Sequence, residues 1–402
     1  MWTRRRLLRG ALALGLGAVW PAAGGCTPQA SLRAVRQALT ILRAQRTTLL
    51  PPDGYREFRG ALHAHTGLSH DSTGTVEEIL AAARVARLDF LITTDHYNPR
   101  IFTEGFQGLW DSVLVLRGLE APLGCSGGKG LVRRCGSVLA IGLKGPLDPG
   151  AYGPREDLLA AIRAQGALAL IAHSRGAPEQ GYFDLADGME IFDIGDTLRE
   201  RLVDIPRLVL DVLFAQAEYP DEVFLPLIER SGWNLARWDR VTRGRRFVGV
   251  AGHDAHQNLS VFGRVVDRYD LVFRALNTHV LAPSLTAESL VSAIRAGRCF
   301  SSFNLLADAS GFGFAARDGE GGPVVGVLGD EVPMREGLVL IARSPIPGAL
   351  DLLRDGVPIR RQEGRTLRHT VDRPGVYRVE VSLRVVDRWR PWIFANPIYV
   401  RA

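Results

Sequence analysis

Lysine is almost missing from the 402 residues, occurring only as Lys129 and Lys144. Cysteine is scarce as well. Cys26, Cys125, Cys135 and Cys299 are the four, and none stands in a CxxC pair, which argues against a thiolate metal site or a redox motif. Internal repeats and long low-complexity segments are missing, which excludes a solenoid or an extended disordered tail. No stretch interleaves a dense basic run with aromatics, so a nucleic-acid partner is not expected despite a formal charge of +6 and a pI near 9.4. Four of the arginines, Arg4, Arg5, Arg6 and Arg9, fall in a segment that reads as removable, and without them the charge is +2.

That segment, residues 1–26, has a basic start, an apolar run over 11–20 and the small residues Ala22, Ala23, Gly24 and Gly25 before Cys26. The run is short for a bilayer span and reads as an export signal. Thr3-Arg4-Arg5-Arg6-Leu7-Leu8-Arg9 resembles a twin-arginine signal, and Ala23-Gly24-Gly25-Cys26 resembles a bacterial lipobox with Ala where Leu is usual. The expectation is export to the periplasm or cell envelope, with Cys26 a candidate membrane anchor. An oxidising compartment would let Cys125 and Cys135 pair across the Gly-rich stretch 126–130; two buried free thiols are the alternative.

A hydrophobic content of 46% provides for a substantial core. Residues 27–57 read as a helical spacer, with Leu32, Val35, Leu39 and Leu42 at helical spacing over 31–50 and a break at Pro51-Pro52-Asp53-Gly54. Short apolar runs then alternate with helical patterns, the signature of β/α units. Strands are predicted at 58–62, 90–93, 113–116, 138–143, 167–172, 189–192 and 247–250, and a capping box at Thr75 and Glu78 opens the first helix between them. After about residue 305 the apolar runs are separated by Gly, Pro and Asp-Gly turns, which predicts a small C-terminal β-sandwich over 306–402.

Of nine histidines, seven fall in short clusters: His63-Ala64-His65 with His70-Asp71 beyond, Asp95-His96, His173, and His253-Asp254-Ala255-His256. Each cluster follows a predicted strand, and Glu120 follows another. In a parallel barrel the C-terminal strand ends share one face, so these residues would converge there. Residues two apart on a strand point to the same side, so His63 and His65 can present imidazoles to one cation. Imidazole and carboxylate donors suit Zn, Mn or Fe.

Leu62-His63-Ala64-His65-Thr66, Asp71, Thr94-Asp95-His96, Gly118-Leu119-Glu120, Ala172-His173-Ser174 and Gly252-His253-Asp254-Ala255-His256 together resemble the PHP (polymerase and histidinol phosphatase) family over roughly residues 58–260. Arg295-Ala296-Gly297-Arg298 and the ending from Trp392 to Val400 are similar to its CehA/McbA-like branch, which carries a C-terminal β domain. The resemblance implies an α/β fold, a distorted (β/α)7 barrel over 58–305, and two or three divalent ions. It places a first metal on His63, His65, Glu120 and Asp254, a second on Asp71, His96 and His256, and a third on Glu120 and His173. The family's further histidine for the third position is absent, the sequence reading Gly136-Ser137.

His253 stands where the family has a small polar residue, and His70 precedes Asp71; each is a candidate substitute ligand or proton donor, or an imidazole that merely supports a carboxylate. Asp95 reads as support for the strand end, Glu190 has no clear role, and Arg175 either meets an anionic substrate or pairs with a carboxylate at the rim. The catalytic candidates are thus His253, His256 and Arg175. The expected chemistry is hydrolysis by a metal-bridged hydroxide, first of phosphoesters in a small anionic substrate, with carbamate, ester or amide bonds as the enzymatic alternative. A metal-bearing envelope lipoprotein without turnover is the alternative of another class. An amidohydrolase barrel also opens on HxH but needs a bridging lysine, and neither Lys129 nor Lys144 ends a strand.

The compartment argument makes a prediction for the native protein. Mass spectrometry of envelope-derived protein under non-reducing conditions should find Cys125 joined to Cys135, and two free thiols there would dismiss the exported assignment's redox basis.

Overall fold

The computed structural model describes residues 28–127, 134–177, 180–194, 197, 205–261 and 263–402. The expected export signal and Cys26 lie outside the described residues. The chain is mixed α/β, built on one large sheet of mixed direction.

Helix α1 (Pro28–Ala44) opens the described chain, earlier at both ends than the 31–50 expected. Its stripe is the one read from sequence: Leu32 and Leu39 are buried, and Val35 and Leu42 pack beside them. It is not a free spacer. Arg36 bonds Glu222, and Arg43 bonds the carbonyls of Leu305 and Leu306, because an amphipathic helix next to an apolar body loses less by docking than by facing water. Arg46, past the helix, bonds the carbonyls of Asp308 and Ser310.

All seven predicted strands have counterparts: β1 (Arg56–Ala64), β2 (Phe90–His96), β3 (Val113–Gly127), β4 (Arg134–Ile141), β5 (Leu168–Ala172), β6 (Gly188–Asp193) and β7 (Val248–Gly252). Helix α2 (Val76–Val85) follows β1, α3 (Arg155–Ala164) precedes β5, and α4 (Gly232–Gly244) precedes β7. The capping box at α2 is formed in both directions, Thr75 Oγ1 accepting from Glu78 N and Glu78 Oε2 accepting from Thr75 N. β1, β2 and β3 run parallel in that order, as do β5, β6 and β7. β4 runs antiparallel to both β3 and β5, a departure from the expected parallel order. The segment after β7 then bonds back to β1: His253 N donates to Leu62 O, Ala255 N to His63 O, and His65 N to Ala255 O. Leu62, Ile92, Leu116, Leu139, Leu170 and Val250 fill the interior of this row, which is why the strands read as apolar on both faces.

Two further strands missed by the sequence reading, β8 (Asn277–Ala282) and β9 (Cys299–Ser302), extend the sheet from the other edge of β1. From β10 (Gly313–Asp318) onward the named elements are all strands: β11 (Val324–Val327), β12 (Glu331–Pro333), β13 (Leu338–Arg354), β14 (Val357–Thr370), β15 (Gly375–Val385), β16 (Arg388–Ala395) and β17 (Ile398–Arg401). They do not keep a core to themselves. β16 pairs with β9, and one apolar cluster joins Leu119, Ile171 and Trp238 to Phe314, Leu340, Tyr377 and Trp392.

Two polar stitches cross this junction. Asn396 is buried and bonds the main chain of β7 at both Gly249 N and Gly249 O, each at 2.8 Å. Arg378 on β15, also buried, grips Asp239 of α4 through Nε and Nη2 at 2.6 and 2.8 Å and reaches Glu380 through Nη1 at 2.7 Å; Glu380 in turn holds Arg230. Burial alone would lower the pKa of such a guanidinium, but the two carboxylates outweigh it and raise the pKa of Arg378. Breaking the network from one side leaves Asp239 charged and buried, so Arg378→Met should lower the unfolding free energy by about 3–5 kcal/mol. Chemical denaturation measures it; a loss below about 1 kcal/mol would show that the junction does not depend on the pair.

Candidate metal centre

The candidate ligands converge because their strands end on one side of the row, but the local geometry differs from simple alternation. β1 carries a bulge between Leu62 and Ala64, and His63 sits in it with φ 65°. His173 and Asp254 also have left-handed backbones, at 48° and 49°. Such conformations cost roughly 1–3 kcal/mol each for residues with a Cβ, and three at candidate ligands mark where the fold spends strain on aiming side chains. His63 and His65 thus share a site through a bulge, with ring centroids 5.2 Å apart, and not through the two-residue period.

Glu120 is the hub. Its Oε2 lies 3.3 Å from His63 Nε2, 3.3 Å from His65 Nε2 and 3.4 Å from His96 Nδ1. Asp254 Oδ1 is 3.7 Å from both His63 Nε2 and His65 Nε2. On the other side Asp71 Oδ2 lies 3.3 Å from His96 Nε2 and 3.3 Å from His256 Nε2. His173 Nε2 approaches Glu120 Oε1 at 3.6 Å and Asp254 Oδ2 at 3.9 Å. All eight ligand candidates from the sequence therefore meet in one cluster, in overlapping groups that include His65–Asp71–His96–His256, His63–His65–Asp254 and His63–Glu120–His173.

This donor set fits divalent cations. Two donors each about 2.1 Å from a tetrahedral ion stand about 3.4 Å apart, the spacing seen around Glu120 and Asp71. His63 Nε2, His65 Nε2 and Glu120 Oε2 are buried with no hydrogen-bond partner, an expensive arrangement unless something positive satisfies them together. The carboxylates and imidazoles of the site also shift one another. Burial opposes charging His63, yet Glu190 and Glu120 hold its pKa well above the ordinary value. Burial likewise favours a neutral Glu120, yet His63, His65 and His96 hold it well below the carboxylate range. Burial and the neighbouring His256 push His65 well down.

The cluster has a floor and an open side. His63 and His65 are fully buried, whereas His173, Asp71 and His96 retain 12%, 22% and 23% exposure. Supporting contacts fix the walls. Asp95 receives Thr66 N and Thr66 Oγ1, as its reading as a support implied. Ser69 Oγ meets His65 Nδ1 at 2.9 Å and accepts His96 N at 2.9 Å, and Tyr269 donates to the carbonyl of His65 at 2.6 Å.

Other candidates fall elsewhere. His253 does not join the cluster: its Nδ1 faces the Leu62 carbonyl at 2.9 Å, its ring packs edge-on to Phe273, and burial pushes its pKa down to about 4. The cause is the main-chain bond from His253 N to Leu62 O, which turns the side chain back toward the β8 side of the fold. His70 is exposed, its ring 5.0 Å from that of His96. Arg175 stacks over Trp233 at 5.7 Å, two residues beyond His173. Two carboxylates on β6 were not singled out as site residues. Glu190 lies 2.7 Å from His63 Nδ1, and Asp193 lies within 4 Å of both His63 and His173. Asp193 could have been found, since it follows its predicted strand as the other candidates follow theirs; Ser69 carried no such signal.

The Cys125–Cys135 disulfide is formed, at the far end of the β3–β4 hairpin from the site's floor, and Cys299 is a buried free thiol. Because β4 is antiparallel, it enters the mouth and does not leave it. Ser137 therefore lies opposite Pro122 and Ala172, and its Oγ donates to Glu120 Oε1 at 2.5 Å.

No family model matches the chain, and no curated protein matches it. Among solved structures, it is similar to a two-domain protein from Bacteroides vulgatus ATCC 8482 containing a predicted PHP-like metal-dependent phosphoesterase, at 13% identity and a TM-score of 0.42, over 88% of this chain and 98% of that one.

The position of Ser137 sets a direct test of the third site. Ser137→His should add one more tightly held zinc equivalent in a chelator-competition titration, because an imidazole there would face Glu120 and His173. His253→Ala should leave the stoichiometry as in the wild type. A loss of zinc in His253→Ala, with no gain in Ser137→His, would reassign the missing donor to His253.

Proposed function

We propose that this chain is a metal-dependent hydrolase of the PHP kind, acting on phosphoesters of a small anionic substrate, with a distorted β/α barrel as its catalytic unit and a C-terminal β-sandwich beside it. The observation that carries the reading is the single Glu120 oxygen within 3.4 Å of three imidazole nitrogens contributed by β1, the segment following it, and β2. His63, His65, Glu120 and Asp254 would hold one ion and Asp71, His96 and His256 a second, with Glu120 reaching both. Zinc, manganese or iron suits these donors. Ions held there supply Lewis acidity and lower the pKa of water.

The chain's own groups do the rest. The buried floor of His63 and His65 keeps bulk water from one side, so charges at the open side interact through a medium of low polarity. His173 retains exposure on that open side, and Arg175, two residues beyond it, would meet an anionic substrate. His256, held through Nδ1 by the Asp254 carbonyl at 2.9 Å, keeps Nε2 turned to Asp71. Export to the periplasm or envelope is part of the same proposal, with Cys26 as a candidate lipid anchor; the Cys125–Cys135 disulfide supports it, since such bonds persist in oxidising compartments.

Protein purified without added metal should contain divalent ion, and reconstituted protein should cleave an aryl phosphodiester or phosphomonoester faster than an aryl carbamate. Carbamate cleavage alone would move the substrate to a carbonyl centre, and a loaded protein inert to the whole panel would make it a binding protein. His63→Ala, Glu120→Ala and Asp254→Ala should each lose bound metal and drop turnover to background while far-UV circular dichroism stays as in the wild type, because these side chains line the end of the strand row and do not fill its core. Full activity in Asp254→Ala would sink the assignment.

A further inference from the structure

Glu190 is a fully buried carboxylate inside a sheet, and three features explain its presence together. Its Oε1 lies 2.7 Å from His63 Nδ1, and its Oε2 accepts from the main-chain N of His173 at 3.4 Å. A separation of 2.7 Å is a charge-assisted hydrogen bond, too close for two donors sharing a tetrahedral ion, which stand about 3.4 Å apart. β6 shifts register between Glu190 and Phe192, so the strand bends where the carboxylate leaves it. On the facing strand, residue 252 is glycine, and a Cβ there would stand 1.9 Å from Glu190 Oε1 and 2.3 Å from its Cδ. The space at Gly252 is therefore the space the carboxylate occupies.

We propose that Glu190 is the positioning residue of the metal centre: it accepts the His63 Nδ1 proton and thereby turns the Nε2 lone pair toward Glu120 and Asp254. An imidazole has two ring nitrogens, and a hydrogen bond at one decides which is left for a metal. His63 needs this more than its neighbours do. It sits in a bulge with a left-handed backbone, and among the described residues its ring meets no hydroxyl of the kind that Ser69 offers His65. The carboxylate is itself buried and meets the open side only at the main-chain N of His173, so it acts through the ligand residues and not on a substrate.

The proposal rests on the metal reading above, and the experiment separates the two. Zinc affinity is measured by chelator competition in the full chain for the wild type, Glu190→Gln, Glu190→Leu and Gly252→Ala. The His63 Nδ1 proton is followed by NMR with and without zinc. Glu190→Leu should weaken zinc binding about 10- to 100-fold. Glu190→Gln, which keeps an acceptor oxygen, should recover most of that affinity, a rescue that a packing role for the side chain would not give. Gly252→Ala changes no charge and should weaken zinc in the same direction by displacing the carboxylate, which keeps the test available if Glu190→Leu fails to fold. In the wild type the Nδ1 proton should be slow to exchange both without and with zinc. Wild-type zinc affinity in Glu190→Leu, or a rapidly exchanging Nδ1 proton in the metal-free wild type, would overturn the proposal. A wild type that binds no zinc but keeps the slow Nδ1 proton would instead overturn the metal reading and leave the Glu190–His63 contact standing.

Discussion

The structure depends on one crowded atom. Glu120 Oε2 is buried facing three imidazole nitrogens, and such groups are costly to hold together unless positive charge, on an imidazole or an ion, joins the carboxylate. Much of the surrounding architecture serves that crowding. A bulge and three left-handed residues point the side chains inward, Ser69 and Tyr269 hold the His65 strand end, and Asp95 ties down the turn at Thr66. Left to local preference, none of these backbones would adopt these angles. Packing over-determines them.

That packing comes from farther along the chain than a barrel alone would provide. Asn396 completes the hydrogen bonds of β7 on its open flank, and Arg378 fastens α4 to β15. The strands after residue 313 thus brace the very strand that ends at the Asp254 and His256 cluster, and α1 is docked by Arg36 and Arg43 against the same body. Rigidity at the ligands is bought from the far side of the fold.

Much of this was legible in the sequence. Strand positions could be read because both faces of the row are buried, and the eight ligand candidates because each comes after the end of a predicted strand. Strand direction could not. Periodicity is the same for parallel and antiparallel strands, and the predicted ends at 116 and 138 left room for a crossover; only the full lengths, Val113–Gly127 and Arg134–Ile141, leave a gap too short for anything but a hairpin. In a parallel strand a residue that precedes the strand, as Ser137 precedes the predicted 138–143, would lie at the opposite end from the ligands; the antiparallel direction brings it to them. The two imidazoles of the HxH pair do come together, but not by the alternation read from sequence, which gives way to a bulge at His63. Glu190 was illegible because its meaning lies in a residue 127 positions away. The helix at 28–44 was legible as amphipathic, but an apolar stripe does not say what it will lie against.

The Glu190 and Gly252 arrangement has a consequence in heredity. With the carboxylate in place, a Cβ at 252 collides with it and must displace it, so a substitution at codon 252 costs the His63 contact while codon 190 still encodes glutamate. The reverse order is open: a lineage that first shortens residue 190 leaves a hollow that residue 252 can grow into. The two codons are therefore coupled, and the order of least cost is loss of the carboxylate first and alanine or serine at 252 second.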